Sequence, residues 1–355
     1  MRPVPALLPF SWLYALVVVI RNLFFDWKIF RTERVDAPVI SVGNLVAGGT
    51  GKTPFVELIA GLLHHKNIRT AVVSRGYKRR SKGLVEVADG SALKANVGEA
   101  GDEAFQLAIK LPGISVVVDD QRVRGARHAV QELHAEAIIL DDGFQHRALH
   151  RDLDIVLIDN TRSLFTTAMI PAGERRETLS SLKRADAVVL TRVKPGTDVS
   201  LTEQSVRRYS GAKVFSSSVA VRAFRRAKTK FSLDLASVLG KHAVAFCAIA
   251  RPENFAESLG EIGIRVDGMI SFGDHHWYTE ADLQRVKQEH EKFKSDYIVT
   301  TEKDVVRLSS FEFFETSPLF YLEIGIEMNG SEEWDQLIGS VLSKRRSHEN
   351  RDYKE

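Results

Sequence analysis

Cysteine is nearly absent from this chain of 355 residues, which has only Cys247. One thiol excludes an intramolecular disulfide and any zinc site built on clustered cysteines, and it suits a reducing compartment. Charge of one sign is scarce too. The 49 Lys and Arg stand against 46 Asp and Glu, and a net +3 does not by itself argue for a nucleic-acid partner. No internal repeat stands out. With 44% apolar and 27% charged residues the composition is that of a globular protein, not a disordered one. The length is enough for two domains with a core each, and nothing calls for an obligate protein partner.

One long apolar run is present, residues 4–20, interrupted only by Pro5, Pro9 and Ser11. At about 17 residues it lies at the lower limit for crossing a bilayer. Trp12, Tyr14, Phe24, Phe25 and Trp27 are rings that settle at headgroup depth, and Arg21, Lys28 and Arg31 follow the run. A signal peptide would need a more basic start than Arg2 and a small-residue cleavage site. A buried helix is the bland alternative. Membrane attachment is the expectation, by a short span or an in-plane helix, with the rest of the chain on the cytoplasmic side.

Residues 38–54 carry the strongest local pattern. Val39, Ile40 and Val42 suit a buried parallel strand, and Phe55, Leu58, Ile59, Leu62 and Leu63 then recur at helical spacing. Between them Gly48, Gly49 and Gly51 let backbone N–H groups turn around an anion. Lys52 can reach the β- and γ-phosphates of a nucleotide, and the Thr53 hydroxyl is placed for Mg²⁺. Val46 stands where the general pattern has its first glycine. A glycine turn with a chance lysine is the alternative to a nucleotide loop.

Downstream, strands near 70–74, 115–118, 137–140 and 155–158 alternate with helices near 101–111 and 123–133, and 84–87 reads as an edge strand or hairpin arm. That is an α/β domain with a mainly parallel sheet, whose ligands belong beyond the carboxyl ends of its strands. The pattern changes at the basic stretch 222–230. Beyond it, strands near 243–249, 297–301 and 319–322 alternate with helices near 253–262, 281–293 and 333–342. The expected organisation is an N-terminal anchor over 1–35, a phosphate-loop core over 36–221, a smaller α/β domain over 222–343 and a charged, frayed tail over 344–355.

Several clusters are able to carry chemistry. The apolar strand at 137–140 ends in Asp141 and Asp142, where a phosphate-loop enzyme delivers a carboxylate to Mg²⁺; a turn or helix-capping aspartate is the bland alternative. His146 follows a glycine turn and could face the nucleotide. Asp102 opens a helix, and spacing alone favours a helix-end acid there. Arg176 and Glu177 could give phosphate a cation and a metal an oxygen, although a surface ion pair explains them equally well. Asp274, His275 and His276 invite a metal or proton-transfer reading. Thr301, Glu302, Lys303 and Asp304 end a strand and could return polar groups to the cleft.

These strings together resemble one family, the tetraacyldisaccharide 4'-kinases, the lipid A 4'-kinases of Gram-negative bacteria. The resemblance rests on Gly43-Asn44 with residues 48–54, Ser74-Arg75-Gly76-Tyr77, Gly101-Asp102-Glu103, and Asp141-Asp142-Gly143-Phe144-Gln145-His146. It continues through Pro171-Ala172-Gly173 with Arg176-Glu177, Arg184-Ala185-Asp186, residues 249–255, Asp274-His275-His276 and residues 300–304. It implies a kinase of two α/β units at the inner membrane, moving the γ-phosphate of ATP to the 4'-hydroxyl of a tetraacyldisaccharide 1-phosphate. ATP would lie on Val46, Ala47, Gly48, Gly49, Thr50, Gly51, Lys52 and Thr53, with His146 and Arg176 beside it. Mg²⁺ would be held by Thr53, Asp141, Asp142 and Glu177, and Lys52 would act on the phosphates. Asp102 would be the base for the sugar hydroxyl, tuned by His275. The basic stretch and the apolar N-terminus would dock beside an anionic lipid. Two rivals remain, a membrane-associated ATPase or nucleotide switch with no lipid acceptor, and a metal phosphoesterase centred on Asp274, His275 and His276.

Overall fold

The β-branched segments offered as strands pair, in a computed structural model, into one sheet. The structure describes residues 4–352 except 163, 230 and 310. Arg2, Lys230 and the last residues of the charged tail therefore lie outside the described residues. The strands are β1 (Val39–Asn44), β2 (Thr70–Ser74), β3 (Val85–Asp89), β4 (Ser115–Val118), β5 (Ala137–Asp141), β6 (Leu153–Asp159) and β7 (Ala187–Thr191). They continue with β8 (Lys213–Arg226), β9 (Ser232–Leu233), β10 (His242–Cys247), β11 (Arg265–Ser271), β12 (Tyr297–Thr301) and β13 (Leu319–Asn329). Their order across the sheet is β11-β10-β12-β13-β8-β7-β6-β1-β5-β2-β4-β3, with β9 paired to β8.

The first half, β2-β5-β1-β6-β7-β8, is parallel, and so is β11-β10-β12-β13. The halves meet where β8 and β13 pair antiparallel, from Phe320 opposite Arg226 to Asn329 opposite Ser216. The boundary expected at residues 221 and 222 thus falls inside a strand. The edge arm β3 runs antiparallel to β4, as its placement at the border of a parallel sheet allows.

Every residue of β1 and β5 is buried, as two-faced parallel strands require. The helix Lys52–His65 covers one face through Phe55, Val56, Ile59, Ala60 and Leu63. The helix Ser331–Asp352, whose beginning the sequence assigns to the second unit, instead joins the first core. Its Trp334 packs edge-on against Phe55 at 5.3 Å and Phe215 at 5.4 Å. The same helix continues into the expected frayed tail, as far as Asp352.

The apolar N-terminal run forms a short 3₁₀ turn, Pro5–Leu7, and the helix Leu8–Asp26. One stripe of this segment is tied to the body. Val4 N donates to Ala172 O, Ser11 Oγ to Met169 O and Tyr14 OH to Arg176 O, while Arg21 pairs with Glu177. Positions 11, 14 and 21 share a helical face. The opposite face is bare, with Phe10, Trp12, Leu13, Leu16 and Val17 each more than half exposed.

Candidate active site

The glycine loop leaves the carboxyl end of β1 and closes onto the helix Lys52–His65. Gly51, its N-terminal cap, has φ +85°, a left-handed conformation that suits glycine. Gly43 is needed for a different reason. A Cβ there would come within 2.6 Å of Phe144 Cβ, so the turn after β5 rests directly on β1. That contact, with Val42 opposite Asp141 in register, brings the two acids to the loop. Lys52 Nζ lies 3.5 Å from Asp142 Oδ1.

The two acids differ sharply. Asp141 is buried and accepts from Ser74 Oγ at 3.0 Å, but its Oδ1 has no hydrogen-bond partner. Burial, then the like charges of Glu103 and Asp142, push its pKa up to about 7. Asp142 is pulled the other way. Burial opposes its charge, but Lys52 and Arg176 outweigh that and hold it well below the usual carboxylate range. Arg176 reaches it with two guanidinium nitrogens, at 2.9 and 2.8 Å, and also bonds Asn44. Asp142 sits at φ +52°, and His275 at +60°, conformations that non-glycine residues seldom hold without surrounding support.

A second cluster forms where the helices Asp102–Lys110 and Glu302–Leu308 pack together. Asp102 is buried and lies 2.9 Å from His275 Nδ1 and 2.5 Å from Arg307 Nη2. Lys303 Nζ is 3.1 Å from His275 Nε2 and 3.1 Å from Glu103. Burial works against the Lys303 charge, but Glu103, Asp102 and Asp274 outweigh it and raise its pKa. Both ring nitrogens of His275 are engaged, Nδ1 by Asp102 and Nε2 by Lys303. Burial also opposes ionisation of Asp102, yet the His275 hydrogen bond, Lys303 and Arg307 hold its carboxyl well below the usual range.

Other sequence candidates are dispersed. His146 is neutral at physiological pH. Burial and the charges of Arg122, Arg151 and Arg75 lower its pKa to about 4, and its Nε2 has no partner. Glu177, a metal candidate, is fully buried and committed elsewhere. It accepts from Asn22 Nδ2 at 3.0 Å and Ser181 Oγ at 2.8 Å, and it pairs with Arg21. Its place is therefore the seam with the N-terminal helix. His276, second of the adjacent histidines, bonds Asp282 at 2.9 Å, so the pair does not face one centre. Among the described residues, no group of three His, Cys, Asp or Glu side chains is assembled for a metal. Sequence reasoning passed over Arg307, Ser74 as a partner of Asp141, and Arg122, whose charge is felt by both acids. The available signal for Arg307 was its i,i+4 spacing from Lys303, which puts both cations on one helix face.

A cavity of about 280 Å³ opens on the far side of the loop, between residues 45–50, the end of β6 and Arg251 from the other half of the sheet. The family model described as tetraacyldisaccharide-1-P 4'-kinase matches residues 4–343. The chain belongs to the tetraacyldisaccharide-1-P 4'-kinase family. It is 36% identical over 349 residues to the tetraacyldisaccharide 4'-kinase of Syntrophus aciditrophicus, covering 94% of this chain and 91% of the relative. The Chlorobaculum parvum enzyme is 36% identical over 346 residues, 95% of this chain and 94% of its own length. The crystal structure of LpxK from Aquifex aeolicus in complex with ATP aligns with a TM-score of 0.77 at 33% identity, covering 95% and 98% of the two chains.

In this member of the 4'-kinase family, three described cations of the basic stretch 222–230 have carboxylate partners. Arg222 pairs with Glu327 at 3.1 Å, Arg225 with Glu323, and Lys228 with Glu315 at 2.7 Å. β13 and its approach supply the acids.

Proposed function

We propose that this chain, a tetraacyldisaccharide 4'-kinase of lipid A biosynthesis, phosphorylates its lipid at the cytoplasmic face of the inner membrane with ATP and Mg²⁺. The observation that carries the reading is the Asp102–His275 pair, contributed by separate halves of the chain, with the adjoining Glu103 close enough to act on Asp141 beside the loop. Phosphoryl transfer needs in-line positioning and neutralised charge, with little covalent work from the protein. Lys52 and the loop amides hold the β- and γ-phosphates. Asp102 orients the sugar hydroxyl and accepts its proton, and His275 fixes that carboxylate. The cavity bounded by Arg251 receives the nucleoside. Radiolabelled ATP incubated with the disaccharide lipid is expected to yield labelled lipid on thin-layer chromatography. Label appearing only as free phosphate would leave an ATPase.

Asp141, with an unbonded buried oxygen and a raised pKa, fits a hard divalent cation, and Thr53 at the helix start is the companion ligand. Bound Mg²⁺ supplies charge neutralisation at the phosphates. Ligation needs the Asp141 carboxylate, so below about pH 7 each bound metal must displace a proton. Metal affinity is expected to fall as pH drops through 7, approaching about tenfold per unit. Calorimetry of Mg²⁺-nucleotide binding in buffers of different ionisation enthalpy reads the released proton. Equal heats in all buffers at pH 6 would remove Asp141 from the metal.

The N-terminal helix lies in the plane of the membrane with its tied stripe on the body and its bare face in the lipid. Tethers at Val4, Ser11, Tyr14, Arg21 and Asn22 leave no free length for a span, although an 18-residue window within Pro5–Asp26 has a mean hydropathy of 1.7. Trp12→Asp with Leu16→Asp is expected to move the protein from vesicle-bound to soluble on sedimentation. The tethers at Ser11, Tyr14 and Arg21 stay intact, so undiminished binding would place the membrane contact elsewhere.

A further inference from the structure

The helix that begins with Asp102 ends with Lys110, about 12 Å away at 1.5 Å per residue. There Lys110 Nζ lies 2.6 Å from Glu57 Oε2 and 2.9 Å from Glu302 Oε2, and all three side chains are largely buried. Each belongs to a different helix. Glu57 is on the helix that begins with Lys52 and Thr53, and Glu302 begins the helix that carries Lys303 and Arg307. One ammonium thus joins the phosphate-binding helix, the helix of the base and the helix that holds the base from the other half of the sheet.

Apolar contacts join these helices in pairs, Phe55 and Ile59 with Leu107 in one core and Phe105 and Ile109 against Val305 and Val306 in another. A cavity of about 410 Å³ opens beside the second pair, lined by Phe105, Lys110, Val305, Val306, Glu302 and Tyr321 among others. Where side chains leave a void, dispersion does less to set an orientation, and directional charge-assisted bonds add to it. Such a buried trio contributes little net stability, because desolvation offsets much of the attraction. Burial, then the neighbouring Glu57, pushes Glu302 up to about 7, and burial raises Glu57 as well. The arrangement is costly to ionise and is held together by one lysine.

We propose that Lys110 is a positioning residue for phosphoryl transfer. By pinning Glu57 and Glu302 together, it sets the distance between the Lys52 phosphate site and the Asp102 base. The inference rests on the kinase reading of those two sites. A displacement of about 1 Å between reacting groups costs up to about a hundredfold in rate. Lys110→Met is therefore expected to lower kcat by about tenfold or more, while the dissociation constant for ATP changes by less than about twofold, since the loop itself is untouched. Lys110→Arg, which can still reach both carboxylates, is expected to restore most of kcat.

The single variant leaves two carboxylates without their cation, and it is destabilised for that reason alone. The triple variant Lys110→Met, Glu57→Gln, Glu302→Gln removes every charge and separates the two effects. It is expected to recover the melting temperature but not kcat. Recovery of both would show that Lys110 acts only through stability and would overturn the proposal. So would an unchanged kcat in a folded Lys110→Met protein, or a loss confined to ATP affinity. Wild-type protein runs in the same lipid-kinase assay. If it labels no lipid, the kinase reading has failed; if it does and the variants match it, only the role of Lys110 has.

Discussion

Asp102→Asn is expected to lower kcat by about 10²–10⁴, the usual contribution of a positioned acid–base group, with ATP affinity nearly unchanged. The reason lies in what surrounds the carboxylate. A group held well below the ordinary range by His275, Lys303 and Arg307, against the cost of its burial, is a weak base at rest. It cannot pull a proton from a ground-state sugar hydroxyl. It can orient that hydroxyl and take the proton once bonding to phosphorus has made the oxygen acidic, which suits a loose phosphoryl-transfer transition state. Asparagine keeps the shape but forfeits the proton acceptor. Its effect should therefore appear in kcat, and a defect confined to substrate binding would refute a base at this position. Because Asp102 is ionised at every working pH, the acid limb of the rate profile should survive the substitution. Its depressed pKa contributes stability that is complete above the normal carboxylate range and lost only as pH falls towards the folded value. Asp102→Asn also takes one of its two carboxylate partners from the buried Arg307, leaving Asp304 at 3.3 Å, so thermal unfolding should accompany the kinetics. His275→Ala should cost less in kcat than Asp102→Asn, since it removes the orienting partner and keeps the acceptor.

The parts of the site legible in the sequence are those whose partners are contiguous. The loop 46–53 and the acids at the end of β5 declare themselves because strand, turn and helix follow in order, and a turn residue such as Gly51 has a local job. Partners far apart in sequence leave little trace. Glu177 belongs with Arg21, 156 positions earlier, and letters around Arg176 cannot say so. The stretch 222–230 reads as a run of cations alone until β13 brings Glu323 and Glu327 alongside, roughly a hundred residues later. The continuity of the sheet has the same origin. Composition changes near residue 222, but β8 runs through that change and pairs with a strand that no periodicity connects to it. Asp102 is the instructive case. Its spacing fits an ordinary helix-end acid, and only the arrival of His275 and Arg307 on separate segments makes it a charged, oriented group.

Lys52→Ala is expected to lower kcat by about 10²–10³, the cost of deleting one preorganised charge at a developing anion. A second consequence follows from the acids beside it. Lys52 is the cation that most favours ionisation of Asp141, opposing the burial and the neighbouring carboxylates that raise its pKa to about 7. Removing that charge raises the pKa further, so at neutral pH a larger share of Asp141 is protonated and unable to bind a divalent ion. Asp142 loses the charge that lowers its pKa most, but Arg176 still grips it through two bonds and keeps it ionised. The variant should therefore need more Mg²⁺ for half-maximal activity, and the added requirement should shrink as pH is raised from 7 to 8.5, where Asp141 ionises without help. The residual kcat at saturating metal and high pH then measures the loss at the phosphates alone. If the Mg²⁺ requirement of Lys52→Ala matches wild type at every pH, Lys52 and Asp141 are electrostatically independent and the paired-acid site is not organised around one metal–phosphate complex. If kcat at saturating Mg²⁺ is also near normal, Lys52 does not touch the transferred phosphate.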